Sequence, residues 1–196
     1  MPLARRIHYN EPMSWIDQYP DDGMAGAFEA TGPKPAATVD PALFREAMSR
    51  LGAAVHVVTT AGPEGKTGFT ATAVCSVSDQ PATLLVCLNR GSKSAPLLRN
   101  NGVLCVNTLR AGEENIADVF AGRTGARAAD RFATGEWTTL STGSPALKSA
   151  VVALDCRVIE VKAVASHDVY FAVVEAIRSG PPGPALVYHD RAYKKV

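Results

Sequence analysis

From Gly52 onward the chain is written almost entirely in short runs rich in Val and Thr, parted by Gly, Pro, Asp and Ser. AAVHVVTT, TGFTATAVCSV, ATLLVCLN, VLCVNTL, SAVVALDCRVIEVKAVA, VYFAVVEAIRSG and ALVYHDRAYKKV follow one another through connections mostly too short to hold a crossover helix. β-branched residues fit a pleated, half-buried surface, and strands joined this way pair antiparallel. The pattern predicts a mostly β fold with a few helices, closing as an antiparallel barrel, and disfavours a doubly wound parallel sheet. Two long strands joined at a tight Ser166-His167-Asp168 corner, followed by one final strand, complete it.

Helices are expected in three places. Asp40-Pro41 is an N-cap followed by proline at the first helical position, leading into ALFREAMSRL with Leu43, Phe44, Ala47, Met48 and Leu51 on one face and Gly52 as the stop. RGSKSAPLLRNNG reads as a loop with a short helix, and GEENIADVFAG as a helix with Ile116, Val119 and Phe120 on a shared face. The segment 123–146 reads as irregular and polar. Residues 1–38 lack either periodicity and read as a poorly ordered arm, which Trp15, Ile16 and Tyr19 could dock, ahead of one domain over 39–196.

Charge excludes some partners. Lys and Arg number 20 against 19 Asp and Glu, a net charge of +1, so no electrostatic footprint for nucleic acid exists. No apolar stretch approaches the roughly 18 to 20 residues a membrane helix needs. Arg5 and Arg6 are followed by no apolar segment, so no export signal is read and the cytoplasm is the expected location. Cys75, Cys87, Cys105 and Cys156 stand far apart with no C-x-x-C pair, so no metal site is expected. Each lies in an apolar run, and all four are expected in the core.

Familiar nucleotide and hydrolase signatures fail. GPEGKT over 62–67 has two residues between its glycines where a Walker loop has four, and neither G-x-G-x-x-G nor G-x-S-x-G occurs. What remains is a set of small and hydroxyl residues at two strand ends: Thr70, Ala71, Thr72, Ala73, Val74, Cys75 and Ser76 on one side, Asn89, Ser92, Lys93 and Ser94 on the other. Such a set can bond a polyol and a phosphate through hydroxyl and backbone groups while leaving room for a flat ring. By composition alone these residues equally well fill strand and turn positions.

The stretch GAAVHVVTTAGPEGKTGFTATAVCSVSDQPATLLVCLNRGSKSAPLLRNNGVLCVNTL resembles the short-chain flavin reductases of two-component monooxygenases, above all those of pyrimidine utilisation and of 4-hydroxyphenylacetate 3-monooxygenase. The likeness runs from about Phe44 to Tyr193. It implies a split β-barrel homodimer with flavin in a groove near the subunit interface. Thr70, Ala71, Thr72, Ala73, Val74 and Cys75 would then lie along the isoalloxazine and ribityl, with Thr72 and Ala73 nearest N5 and O4. Asn89 with Ser92, Lys93 and Ser94 would sit near the phosphate. Ser166-His167-Asp168 stands where relatives carry Gly-Asp-His or a similar turn, which puts His167, with Asp168, beside the nicotinamide. Tyr188 and Arg191 would flank the cleft, while His56 and His189 are structural.

The resemblance implies NADH-dependent reduction of FMN, or of FAD, with reduced flavin passed to a separate oxygenase acting on an aromatic or heterocyclic compound. No Arg cluster is visible to hold the flavin permanently, which makes it as much substrate as cofactor. Two alternatives stay open: a non-catalytic FMN sensor or carrier, and a pyridoxamine-phosphate-oxidase-like enzyme, which would want more basic residues around its phosphate.

Overall fold

A computed structural model describes residues 39–128 and 130–196; the arm and its Trp15, Ile16 and Tyr19 lie outside the described residues. In chain order the elements are α1 (Pro41–Ser49), β1 (Ala53–Ala54), β2 (His56–Gly62), β3 (Gly65–Ala71), β4 (Val74–Asp79), β5 (Ala82–Asn89), α2 (Ala95–Asn101), β6 (Val103–Thr108), α3 (Glu114–Phe120), β7 (Trp137–Thr139), β8 (Pro145–Leu147), β9 (Val152–Val164), β10 (His167–Ser179), β11 (Leu186–His189) and β12 (Ala192–Lys195). The fold is mostly β with three helices among the described residues. None of these helices is long and apolar enough to cross a membrane. The chain divides into two units, Met1–Asp40 and Pro41–Val196.

Seven strands form one antiparallel sheet in the order β3-β2-β6-β9-β10-β5-β4. β3 and β4 stand at its opposite edges, yet only Thr72 and Ala73 separate them in the chain. Two residues span so little that the sheet must curl until its edges approach. No ladder joins β3 to β4, so the hydrogen-bonded sheet itself stays open at that seam.

Side-chain alternation builds a core on each face of the curl. On β2, Val58 packs inward with Leu84, Val86, Leu104, Val106 and Tyr170 under α2, which contributes Ala95 and Leu98. Val57 points the other way, into a cluster with Ile116, Ala117 and Phe120 of α3, and with Phe132, Leu147 and Leu186. Phe120, Phe132 and Trp137 cluster in that second core with centroids 5.2 to 5.5 Å apart, Phe132 meeting the other two edge to face and Phe120 tilted against Trp137.

Several expectations need correction. The run 67–77 is two strands, broken at Thr72-Ala73. The segment 123–146 is only partly irregular: a 3-10 turn at Asp130–Ala133 precedes the small β7-β8 ribbon. The C-terminal run is a hairpin, β11-β12, turning at Asp190 and Arg191 with φ of 50° and 57°. β9 and β10 turn at Ala165 and Ser166, so His167 and Asp168 already belong to β10. Cys105 and Cys156 are core residues, but Cys87 is half-buried and Cys75 is exposed on edge strand β4. Helix α1 forms as expected yet buries no residue, with Phe44 56% and Met48 47% exposed.

Candidate functional site

The seam between β3 and β4 opens into a cleft of about 420 Å³. One wall is Phe69, Thr70, Ala71, Thr72 and Ala73, the end of β3 and its link to β4. Backbone groups at a sheet edge have no strand partner, which leaves them available to a ligand. The link is held to β5 and by its own turn, where the Cys87 N–H donates to Ala73 O (3.0 Å) and the Val74 N–H to Thr72 O (3.0 Å). Thr70 Oγ1 donates to Ala117 O of α3 at 2.6 Å, so this wall and the α3 end bearing Phe120 and Ala121 are braced together.

The facing wall comes from β5, β10 and the loop before α2. β5 and β10 pair with Asn89 opposite His167, which brings two residues 78 positions apart in sequence to one spot on the rim. That pairing is reinforced by the Arg90 N–H, which donates to Ser166 O at 3.0 Å, and by the Arg90 guanidinium on Ala165 O. Ser166 Oγ lies 2.9 Å from His167 Nδ1, fixing the exposed ring at the cleft mouth. Past Asn89 the chain turns back on itself: Asn89 Oδ1 accepts from the Gly91 N–H (2.8 Å) and Asn89 O from the Ser92 N–H (2.9 Å). This turn presents Ser92, Lys93 and Ser94 to the cleft. Ser94, itself buried, hydrogen-bonds Thr67 Oγ1 at 3.0 Å across to β3.

The structure therefore brings Thr70, Ala71, Thr72, Ala73, Asn89, Ser92, Lys93, Ser94 and His167 into one cleft, and leaves other candidates outside it. Val74 packs against the inner core, and Cys75 faces away on β4. Asp168 alternates inward behind His167, where its buried carboxylate meets Arg99 of α2 at 2.7 Å. Tyr188 lines a second, adjoining hollow of about 210 Å³ that shares Thr70, Ala71, Thr72 and Ala121 with the cleft. Arg191 sits on the β11-β12 turn, where it binds Glu46 of α1 at 2.7 Å and holds that carboxyl below its usual range. His56 bonds Thr108 Oγ1 at 3.0 Å, and burial lowers its pKa to about 4.

Sequence reasoning missed Phe69, Cys87, Leu88, Phe120, Ala121 and Arg131. Burial pushes the Cys87 thiol up, so it is a neutral, small wall residue. Tyr193, beside Tyr188 in the adjoining hollow, donates to Asp118 at 2.9 Å and has its pKa pushed up to about 12, first by burial and then by that carboxylate. The cleft lining holds the cations Lys93 and Arg131 and no carboxylate. It contains no paired nucleophile and base, so its chemistry is to bind, stack and orient rather than to move protons.

The chain belongs to the flavin reductase like domain family, whose model matches residues 48–196. Over 168 residues it is 52% identical to the protein named FMN reductase (NADH) RutF of Methylorubrum extorquens, covering 86% of this chain and 81% of that one. Among solved structures it is similar to BorF, the flavin reductase component of a bacterial two-component tryptophan halogenase, with 25% identity, a TM-score of 0.75, and coverage of 80% of this chain and 98% of that one. It is also similar to the Streptomyces globisporus NADH:FAD oxidoreductase SgcE6 solved with NAD and FAD fragments, at 25% identity and a TM-score of 0.73, covering 82% and 97% of the two chains.

Proposed function

We propose that the chain is an NADH-dependent flavin reductase that takes FMN, with FAD as the second flavin, and releases reduced flavin to a separate oxygenase. What carries this reading is the convergence of the β3 seam, the Ser92-Lys93-Ser94 loop and His167 on one cleft without an acid–base pair. Names of relatives support it: FMN reductase (NADH) for the two substrates, and component of a two-component halogenase for the hand-over.

The cleft fits such ligands by its size, which lies in the range of small-molecule sites, and by its cations and unpaired edge backbone. When both are bound, reduced nicotinamide supplies a hydride that flavin accepts. The chain's part is to hold the two faces together and keep water away. Backbone groups of Thr70, Ala71, Thr72 and Ala73 line the ring edge, with those of Thr72 and Ala73 placed to favour the negative charge that reduction brings. Asn89, Ser92, Lys93 and Ser94 hold the ribityl and phosphate, and His167 on the rim meets the nicotinamide nucleotide.

In this reading residues 39–196 form a catalytic domain, the curled sheet is a split barrel, and two chains form the working unit in the cytoplasm, where the free thiols stay reduced. Apolar side chains exposed on one chain, Phe44, Met48, Ile159, Val164 and Ile177, support the pairing. NADH oxidation in air, with and without added FMN, tests the activity. Flavin binding with no NADH turnover would replace it with the carrier reading.

A further inference from the structure

β3 and β10 contribute to facing walls of the cleft, yet the ladder joins them only the long way round, through β2, β6 and β9, since none crosses the seam between β3 and β4. Twist differs from one strand pair to the next, so four successive pairings fix the separation of the walls loosely. Helix α2 supplies a shorter connection. On one side Ser94, just before the helix, bonds Thr67 Oγ1 of β3 at 3.0 Å, and Asn101 at the helix end donates to Gly65 O at 3.1 Å. On the other side Arg99 Nη2 donates to Asp168 Oδ2 of β10 at 2.7 Å, the one ion pair between α2 and β10 among the described residues. Ala95 and Leu98 bury the apolar side of the helix in the inner core, a contact without direction, so the polar bonds on its two sides set where it stands.

Asp168 follows His167, and neighbours on a strand point to opposite faces, so His167 looks to the cleft while Asp168 turns inward. Its carboxylate is 3% exposed, and Oδ1 has no hydrogen-bond partner among the described residues. Tyr170, fully buried and next on the same face, is a neutral neighbour whose pKa is pushed up first by burial and then by the Asp168 charge. Arg99 is thus the one ion-pair partner of a buried carboxylate, and separating the two would strand that charge.

We infer that Arg99 and Asp168 are positioning residues for hydride transfer: through α2 they hold the strand that carries His167 at a fixed distance from the β3 wall, and so set the spacing between nicotinamide and flavin. This role rests on the flavin-reductase reading, in which flavin lies along Thr70–Ala73 and nicotinamide meets His167. Neither Arg99 nor Asp168 lines the cleft, so breaking the pair removes no ligand contact and lets β10 shift relative to the flavin. Binding survives that change, and the hydride step does not.

The test is the rate of flavin reduction in a single anaerobic turnover of the full chain, with enzyme in excess over FMN and NADH saturating, for the wild type, Arg99→Met and Arg99→Lys. FMN titration and the KM for NADH accompany it. Met keeps an extended stem and removes the donor, whereas Lys keeps the charge. Arg99→Met should slow reduction roughly 10- to 100-fold, the cost of a displacement on the order of 1 Å, with FMN affinity and NADH KM little changed, and Arg99→Lys should recover most of the rate. Arg157→Gln breaks the ion pair to Glu175, which joins β9 to β10 away from the cleft, and should leave the rate as in the wild type. An unchanged rate in Arg99→Met, a loss that Arg99→Lys does not recover or that Arg157→Gln shares, or a fall explained by weaker FMN or NADH binding overturns the positioning role while leaving flavin reduction intact. If Arg99→Met does not fold, Arg99→Met combined with Asp168→Asn, which removes the stranded charge, decides: it must show the same slowing with binding preserved, and a wild-type rate overturns the role. A wild type that oxidises no NADH with FMN refutes the reductase reading itself.

Discussion

Gly68 is the narrowest point between the sheet and α3, and replacing it with Ala should both destabilise the protein and disturb the cleft. A Cβ there would stand 2.8 and 2.9 Å from two ring carbons of Phe120 and 3.1 Å from Val58 O. Ordinary carbon contacts lie near 3.5 to 4.0 Å, so the overlap is on the order of 1 Å. Phe120 cannot simply swing aside, because it is 1% exposed and wedged between Phe132 and Trp137. Val58 O belongs to the neighbouring strand, where Thr59 is paired with Gly68, and it is no easier to move. Overpacking of this kind costs about 1 to 3 kcal/mol. Removing a glycine from a strand returns at most about 1 kcal/mol of chain entropy, leaving a net loss of about 1 to 2 kcal/mol. For a chain of this size that is a fall in Tm of roughly 2 to 8 °C, measurable by calorimetry or circular dichroism. Phe120→Leu in the Gly68→Ala background should recover part of the loss, with a coupling of about 1 kcal/mol in a double-mutant cycle. A Tm within about 1 °C of the wild type, or no coupling to Phe120, would refute the reasoning.

Three further outcomes are expected. His167→Ala should raise the KM for NADH about tenfold, the worth of one good hydrogen bond, while FMN affinity moves little; equal losses for both would mark His167 as part of a structural corner. Arg99→Ala should lower Tm more than Asp168→Asn does, because Arg99 is half-exposed and can hydrate once alone whereas the Asp168 carboxylate is buried. His56 has a folded-state pKa of about 4, below its unfolded value near 6.5, so the unfolded chain binds the extra proton and stability falls as pH drops from about 6.5 towards 4. The loss is at most about 3 kcal/mol, less for the part of the ring that water reaches, and His56→Gln should flatten this limb of the stability curve.

The strand runs, α2 and α3 were legible in the sequence because each carries its own local pattern, alternation for strands and a shared apolar face for α3. The two clusters of small and hydroxyl residues were legible as well, but not the reason they meet. That reason is the pairing of β5 with β10, which sets Asn89 opposite His167, a non-local register that no short window contains. Arg131 was invisible for a related cause: it sits in a segment without periodicity, and its guanidinium is placed at the cleft by bonds to the carbonyls of Gly68 and Phe120, which are distant in sequence. The β11-β12 turn was missed because Asp190 and Arg191 both take positive φ, where Gly or Asn would have advertised it. Cys75 and the α1 face misled in the opposite direction, since an apolar run on an edge strand or an outer helix need not be buried by its own chain.

The same geometry bears on how tightly a flavin is held. Buried polar networks do exist in this molecule, as at Asn107, which bonds both Val57 O and the Leu147 N–H, and at Asp155, which accepts twice from Thr142 at 2.6 Å. They lie within the fold and away from the cleft, where they tie β6 and β9 to the segment around β8. The cleft instead offers edge backbone, a few hydroxyl groups and two cations on a half-open wall. Each such contact is worth roughly 0.5 to 3 kcal/mol net, and ordering the ligand offsets part of the sum. Under the reading proposed above, a handful of them suits reversible binding of flavin rather than permanent retention. A seam between two sheet edges is thus a physically suitable place for a flavin that must arrive oxidised and leave reduced.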